Sequence, residues 1–491
     1  MKTTNPSKTP ADAPAPTAVK PQLIIAVLCF GALSAALMQT LVLPIQIELP
    51  RLLHAAASDT SWVVTATLLG GGVAMPVAGR LGDIIGKQRV LVGSSVILVI
   101  GSIVCALSTS VWPMIGGRFL QGIAMGFIPV AISMVREVVP AHMASTAIAT
   151  LSATMGVGGA IGLPLAAWIA QDYNWHALFW VSAGLAALMV VATTFLVPNV
   201  SDGHPASIDV VGAISLAIGL IATLVGISKG NEWGWASTNT LLCVVGGLLV
   251  LVLFGRYELR QQDPLVDLRT TARRPVLLTN IAAMLIGFGM MAQSIVVPQL
   301  LEMPKATGYG LGQSILEAGL WMAPGGLMMM FLAPVSSKLM TTVGARITLA
   351  IGAGVIGAGY LVALFMMSAP WQLLVASCIS MAGVGIGYAA MPTLILENVP
   401  PAEAGSGVGI NTVMRSIGTT VAGAVMASLL TSRTITLKPG TPAIPSSDAF
   451  KLCFLVGAVA ALVGGAIALT ISGRRPKRAE PARDDLALAE A

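Results

Sequence analysis

At 491 residues, 55% hydrophobic and only 10% charged, with a mean hydropathy of +0.85, this chain cannot be soluble, because soluble chains carry about 25% charged residues. Its formal charge of +6 comes from basic residues gathered at the edges of apolar runs rather than on one patch, which argues against nucleic acid as a partner. Cys29, Cys105, Cys243, Cys378 and Cys453 lie far apart within apolar runs, and the four histidines show no metal-ligand spacing, so no disulfide framework and no metal centre is expected.

In chain order, residues 1–21 are rich in Pro, Ala and Thr and carry Lys2, Lys8 and Lys20, which predicts a disordered tail. No small-residue cleavage site follows, so the first apolar run is read as an uncleaved helix. A hydrocarbon core of about 30 Å needs about 20 apolar residues per helix. Fourteen runs of that kind lie near 22–45, 60–79, 89–108, 112–135, 145–168, 177–197, 209–228, 239–258, 276–298, 312–336, 346–367, 371–395, 405–430 and 450–472. The expected fold is an all-α polytopic membrane protein of fourteen helices. Its expected parts are a six-helix bundle over 22–200, two inserted helices and a linker over 201–274, a second six-helix bundle over 275–472 and a tail over 473–491.

Between the second and third spans the chain reads Gly79-Arg80-Leu81-Gly82-Asp83-Ile84-Ile85-Gly86-Lys87-Gln88-Arg89. Glycines let a chain reverse with two helix ends close together. Asp83 suits a helix N-terminus, while Arg80, Lys87 and Arg89 mark the cytoplasmic face. With the amino terminus inside, nineteen of the twenty-seven Lys and Arg residues fall on inner loops and tails. Both termini are therefore expected in the cytoplasm.

The chain also repeats itself. A shift of 258 aligns Pro76 with Pro334, Arg80 with Lys338, Leu81 with Leu339 and Gly86 with Gly344. A shift of 260 aligns Glu137 with Glu397, Val139 with Val399, Pro140 with Pro400 and Gly158 with Gly418. Parallel halves flanking a substrate path are one known transporter architecture. The echo is unequal, since Thr341 stands where Asp83 does.

These residues resemble the major facilitator superfamily, and within it the fourteen-helix drug/proton antiporter branch. The segment 79–89 is similar to that family's loop between helices two and three. Gly116-Gly117-Arg118-Phe119-Leu120-Gln121-Gly122 resembles its helix-four motif around a buried arginine. Gly158-Gly159-Ala160-Ile161-Gly162-Leu163-Pro164 resembles the antiporter signature of helix five, with Leu163 inserted before the proline. Gly230-Asn231-Glu232-Trp233-Gly234-Trp235 and Asp263-Pro264-Leu265-Val266-Asp267-Leu268 resemble the connections around the branch's extra helix pair. The branch usually carries an aspartate in helix one ahead of T-I-V. Aligned on Thr40-Leu41-Val42, that place holds Met38, with Gln39 beside it.

Each candidate residue has a functional and a plain reading. Gly79, Arg80, Asp83, Gly86, Lys87 and Arg89 form a latch on the cytoplasmic side, or only anchor topology. Arg118, roughly 9 Å inside the fourth span, and Arg415, near mid-membrane, line the substrate or proton path, or form structural contacts. Gln39 lines the pocket or bonds between helices. Glu317 is a protonation site or a helix-start glutamate favoured by the dipole. Gly158, Gly162 and Pro164 form a gate in the fifth helix.

No G-x-x-x-x-G-K-[ST] is present and the glycine runs lie in apolar spans, so no ATP site and no cofactor is expected. Neither HExxH nor GxSxG occurs, which argues against an enzyme. The expected activity is proton-coupled efflux of amphipathic organic molecules or drugs by a monomer in the cytoplasmic membrane. An uptake permease for one metabolite and a non-transporting membrane sensor are the alternatives. Lipid, a small organic substrate and protons are the partners implied.

Overall fold

In lipid every backbone N–H and C=O must find its partner within the chain, so apolar runs of this length fold as helices. The computed structural model describes residues 20–42, 45, 48–199, 209–261, 263–436 and 444–471. Fourteen long helices run through these residues, numbered here without the short turns between them. The first six are α1 (Pro21–Thr40), α2 (Trp62–Ile85), α3 (Lys87–Leu107), α4 (Val111–Val138), α5 (Ala141–Asp172) and α6 (His176–Leu196). The next two are α7 (Val210–Trp233) and α8 (Thr238–Glu258). The last six are α9 (Arg274–Glu302), α10 (Leu316–Thr342), α11 (Ala345–Phe365), α12 (Pro370–Asn398), α13 (Ala404–Ser432) and α14 (Ser447–Leu469). Thirteen candidate spans are long and apolar enough to cross a membrane among the described residues, and α5, at 32 residues, is long enough for the fourteenth. The expected tails lie almost wholly outside the described residues, as do residues 201–208 at the entry to the inserted pair.

Two six-helix bundles emerge from the packing. In the first, α1 packs on α5 and α6, α3 on α4 and α6, and α2 on α4. Each pair recurs eight helices later, as α9 with α13 and α14, α11 with α12 and α14, and α10 with α12. Across the seam, α2 meets α13 and α5 meets α10, the same two helices of each bundle exchanged. The inserted helices α7 and α8 pair with each other, and α7 alone rests on α2 and α13. On α8, Leu242, Leu249 and Val252 stay exposed in the isolated chain, as suits a helix whose outer face meets lipid acyl chains.

The segment 79–89 is not the loop its composition suggests. Helix α2 continues to Ile85 and α3 starts at Lys87, leaving Gly86 as the single residue of the turn, with φ +99°. Nothing before Gly86 breaks the helix, and Asp83 is buried against other helices rather than solvated. Gly344 repeats the device with φ +89° between α10 and α11. A side chain at such a φ is strained, which explains the glycine at both places. The end of the bundle that holds these two turns is called the Gly86 end below. At the opposite end a two-stranded antiparallel hairpin, Thr434–Ile435 with Ile444–Pro445, joins α13 to α14, a detail the apolar pattern does not announce.

Candidate functional site

The Gly86 end is closed by a carboxylate that crosses the seam. Asp83, near the end of α2, is 8% exposed. Its Oδ1 accepts from the backbone N–H of Gly405 at 3.1 Å and its Oδ2 from that of Ser406 at 3.0 Å. Those N–H groups belong to the first turn of α13, which leaves donors unsatisfied and carries the positive end of the helix dipole. Lys87 Nζ lies 3.6 Å from Asp83 Oδ1 and also bonds Glu137 on α4, so two carboxylates share one buried ammonium. Close approach makes the cap possible. A side chain at Gly79 would collide with the Gly405 carbonyl, and one at Gly409 would meet the Met75 carbonyl oxygen at 2.6 Å.

The other predicted members of this cluster divide. Arg80 is half-buried and lies within Coulombic range of Asp83, Glu258 and Glu403, whereas Arg89 is exposed. The two halves differ as their sequences do. Thr341 turns its hydroxyl to Ser337 and Lys338 carbonyls of its own helix, at 3.3 and 2.9 Å, and reaches nothing across the seam. The second crossing is neutral: Thr146 Oγ1 on α5 and Ser337 Oγ on α10 lie 2.7 Å apart.

Deeper in the bundle, Arg118 is 1% exposed. It donates to the Met38 carbonyl at 2.8 Å, to Gln121 Oε1 at 2.7 Å and to the Val63 carbonyl at 3.4 Å. Gln121 Nε2 in turn donates to Ser102 Oγ at 2.9 Å. The guanidinium thus ties α1, α2 and α4 together through neutral acceptors. At the place where the family resemblance would put an aspartate, the backbone carbonyl of Met38 is what meets it. Gln39 Nε2 donates to Met125 Sδ at 3.2 Å, in the 3₁₀ turn Ala124–Gly126 that interrupts α4.

Arg415 is 7% exposed; its guanidinium carbon lies over the ring of Tyr388, 4.3 Å from the centroid, and the two side chains share a hydrogen bond. Tyr388 occupies the break between the two segments of α12, Pro370–Gly387 and Ala390–Asn398. Its hydroxyl donates to Met155 Sδ of α5 at 3.7 Å, across the seam. Gly156, next in α5, is covered by Met329 of α10. Tyr388 and Met155 are thus functional candidates that sequence reading did not single out; for Tyr388, a lone tyrosine following a glycine run in an apolar span was the available signal.

Two expectations are relocated. Glu317 does not reach the interior: it is exposed at the third position of the helical segment Ile315–Phe331, where it completes a capping box with Ser314. A carboxylate that satisfies the orphan N–H of Ser314 has no reason to leave the helix end. Gly158 and Gly162 pack α5 against Leu33, Ala36 and Thr40 of α1, inside the first bundle, while the neighbouring Gly156 faces the seam. Pro164 falls within α5, but its side chain lies outside the described residues.

The Major Facilitator Superfamily profile matches residues 28–423. The MFS-type transporter Rv1877 of Mycobacterium tuberculosis is 29% identical over 90% of this chain, which spans 66% of that protein's length. The multidrug transporter protein MdtP of Bacillus subtilis is 25% identical, with 80% of this chain and 74% of MdtP covered. Among solved structures, the human organic anion transporter MFSD10 superposes with a TM-score of 0.64 at 16% identity, over 91% of this chain and 99% of that one. The proton:xylose symporter XylE follows with a TM-score of 0.61 at 15% identity, over 90% and 94%. At such identities the superpositions establish the fold alone. The repeated bundles, the capped seam and the profile match converge: this chain is a multi-pass membrane protein and belongs to the Major Facilitator Superfamily.

Proposed function

We propose that this transporter exports amphipathic organic compounds across the cell membrane, driven by the proton gradient, with both termini in the cytoplasm. The observation that carries the reading is the Asp83 carboxylate seated on the amino end of α13. Such a contact holds the Gly86 end shut in one state and must break in the other, which is what alternating access requires of a seam. The concentration of Lys and Arg at this end supports reading it as the cytoplasmic one. Asp83, Lys87 and Glu137 supply a proton-responsive latch, because adding a proton to either carboxylate removes a charge from the contact. The inserted helix α7 then acts as a brace, resting on both α2 and α13. Efflux rather than uptake is supported by relatives such as the multidrug transporter protein MdtP and the lincomycin resistance protein LmrB of Bacillus subtilis.

A toxicity panel in an efflux-deficient bacterial host tests this. Expression should raise tolerance to some amphipathic compounds, and a protonophore should abolish the gain. Substrate influx with alkalinisation of the medium would instead establish an uptake permease.

A further inference from the structure

The membrane interior carries fixed charge of one sign. Among the described residues, every carboxylate on α1 to α14, from Asp83 to Asp448, lies within about one turn of a span end, whereas Arg118 and Arg415 lie deeper. A charge at the centre of a bilayer costs at least about 2.5–3.5 kcal/mol, so two unopposed arginines there call for anionic or dipolar partners. Arg118 has its partners, in two backbone carbonyls and Gln121. Arg415 has no carbonyl, amide or carboxylate partner among the described residues. No carboxylate lies within ion-pair distance of it among the described residues; its partner is Tyr388, whose ring it overlies and whose hydroxyl it hydrogen-bonds, which engages only part of the fork of N–H donors. Tyr388 in turn reaches across the seam to Met155 of α5, and Gly156, the next residue of α5, is covered by Met329 of α10.

We propose that Arg415 binds the anionic group of the substrate, and that the compounds carried are amphipathic organic anions, carboxylates or sulfonates. The apolar body rests on Tyr388, Met155 and Met329. Guanidinium pairs with a planar carboxylate through two parallel hydrogen bonds, and unbranched methionines adapt to varied apolar shapes. An organic cation would bring a like charge beside Arg415 with no carboxylate at that depth to balance it, so the same site rejects it. Because α5 and α12 belong to different bundles, the site parts and re-forms as the seam opens. The assignment deepens the exporter reading by naming its substrate class, and it shares the same seam.

The test uses the full chain in lipid nanodiscs, with carboxyfluorescein as the anionic probe and rhodamine 6G as the cationic one, each followed by fluorescence anisotropy. The wild type should bind carboxyfluorescein in preference to rhodamine 6G. Arg415→Gln should weaken the anion by about tenfold or more, and Arg415→Lys by less, since it keeps the charge but not the fork. If Arg415→Gln elutes as aggregate in size exclusion, Arg415→Lys and the wild-type preference decide the matter. Preference for rhodamine 6G, binding of neither dye, or unchanged anion affinity in Arg415→Gln would overturn the assignment. Anion binding without export in vesicles would leave it standing and sink the exporter reading; cation export would do the reverse.

Discussion

Asp83 shows how one side chain acquires meaning only from a distant one. In sequence it is an acidic residue in a basic stretch; in the fold it is the acceptor for two N–H groups more than three hundred positions away. Hydrogen bonds to a charged group are worth about 1.5–3 kcal/mol each, so losing the charge shifts a closed-to-open ratio by about tenfold or more. Asp83→Asn should therefore open the Gly86 end. The check is a cysteine introduced by Ser337→Cys, at the buried α5–α10 crossing of the same end. Its labelling by a water-soluble maleimide should accelerate in the Asp83→Asn background relative to Ser337→Cys alone; equal rates would remove Asp83 from the latch. Arg118 makes the opposite case. Its contacts lie within one bundle, and Arg118→Lys keeps the charge while losing the three-way reach to Met38, Val63 and Gln121. Transport should fall at least tenfold and the thermal midpoint should drop in a fluorescence-monitored melt, because the acceptors left behind are buried.

At the scale of elements, the seam is built from small residues on α2 and α13 that bring two backbones together. Any side chain at Gly79 runs into the Gly405 carbonyl, and forcing atoms into a packed contact costs about 1–3 kcal/mol. Gly79→Val should thus separate the two helices, weaken the Asp83 cap and lower the thermal midpoint, while Gly93→Val on α3, where a side chain meets open space, serves as the neutral control. A melt in which the two variants behave alike would show that the α2–α13 approach is not tight. The repeat is likewise visible in elements before residues: Gly86 and Gly344 share a positive φ, and α4 and α12 both break in their second half, at Ala124–Gly126 and at Tyr388. Equivalent interruptions in the two halves are where a substrate path through a helical transporter can gain room.

For the whole molecule, the pairing of helices in the first bundle recurs in the second, yet the two crossings of the seam differ in chemistry. One holds a buried carboxylate on a helix end, the other a pair of hydroxyls. The inserted pair adds to the asymmetry, since α7 leans on the charged crossing alone. Among the described residues, the charged contact between the bundles thus lies on one side of the seam.

Much of this was legible in the chain itself. Runs of about twenty apolar residues must be helices in lipid, and their number, the positive edges and the 258–260 offset follow from composition and order. Arg118 and Arg415 stood out because a charge within an apolar run is costly wherever it points. What that cost could not reveal was the partner. That Arg118 is satisfied by a carbonyl of Met38, that Arg415 stacks on Tyr388 between the bundles, and that Glu317 spends its charge on a helix end depend on contacts between residues far apart in sequence or on the exact turn at which a helix begins. Sequence by itself determined that fourteen helices cross a bilayer; only the tertiary structure decided which charges meet, because periodicity orders residues along one helix and only packing places helices against one another.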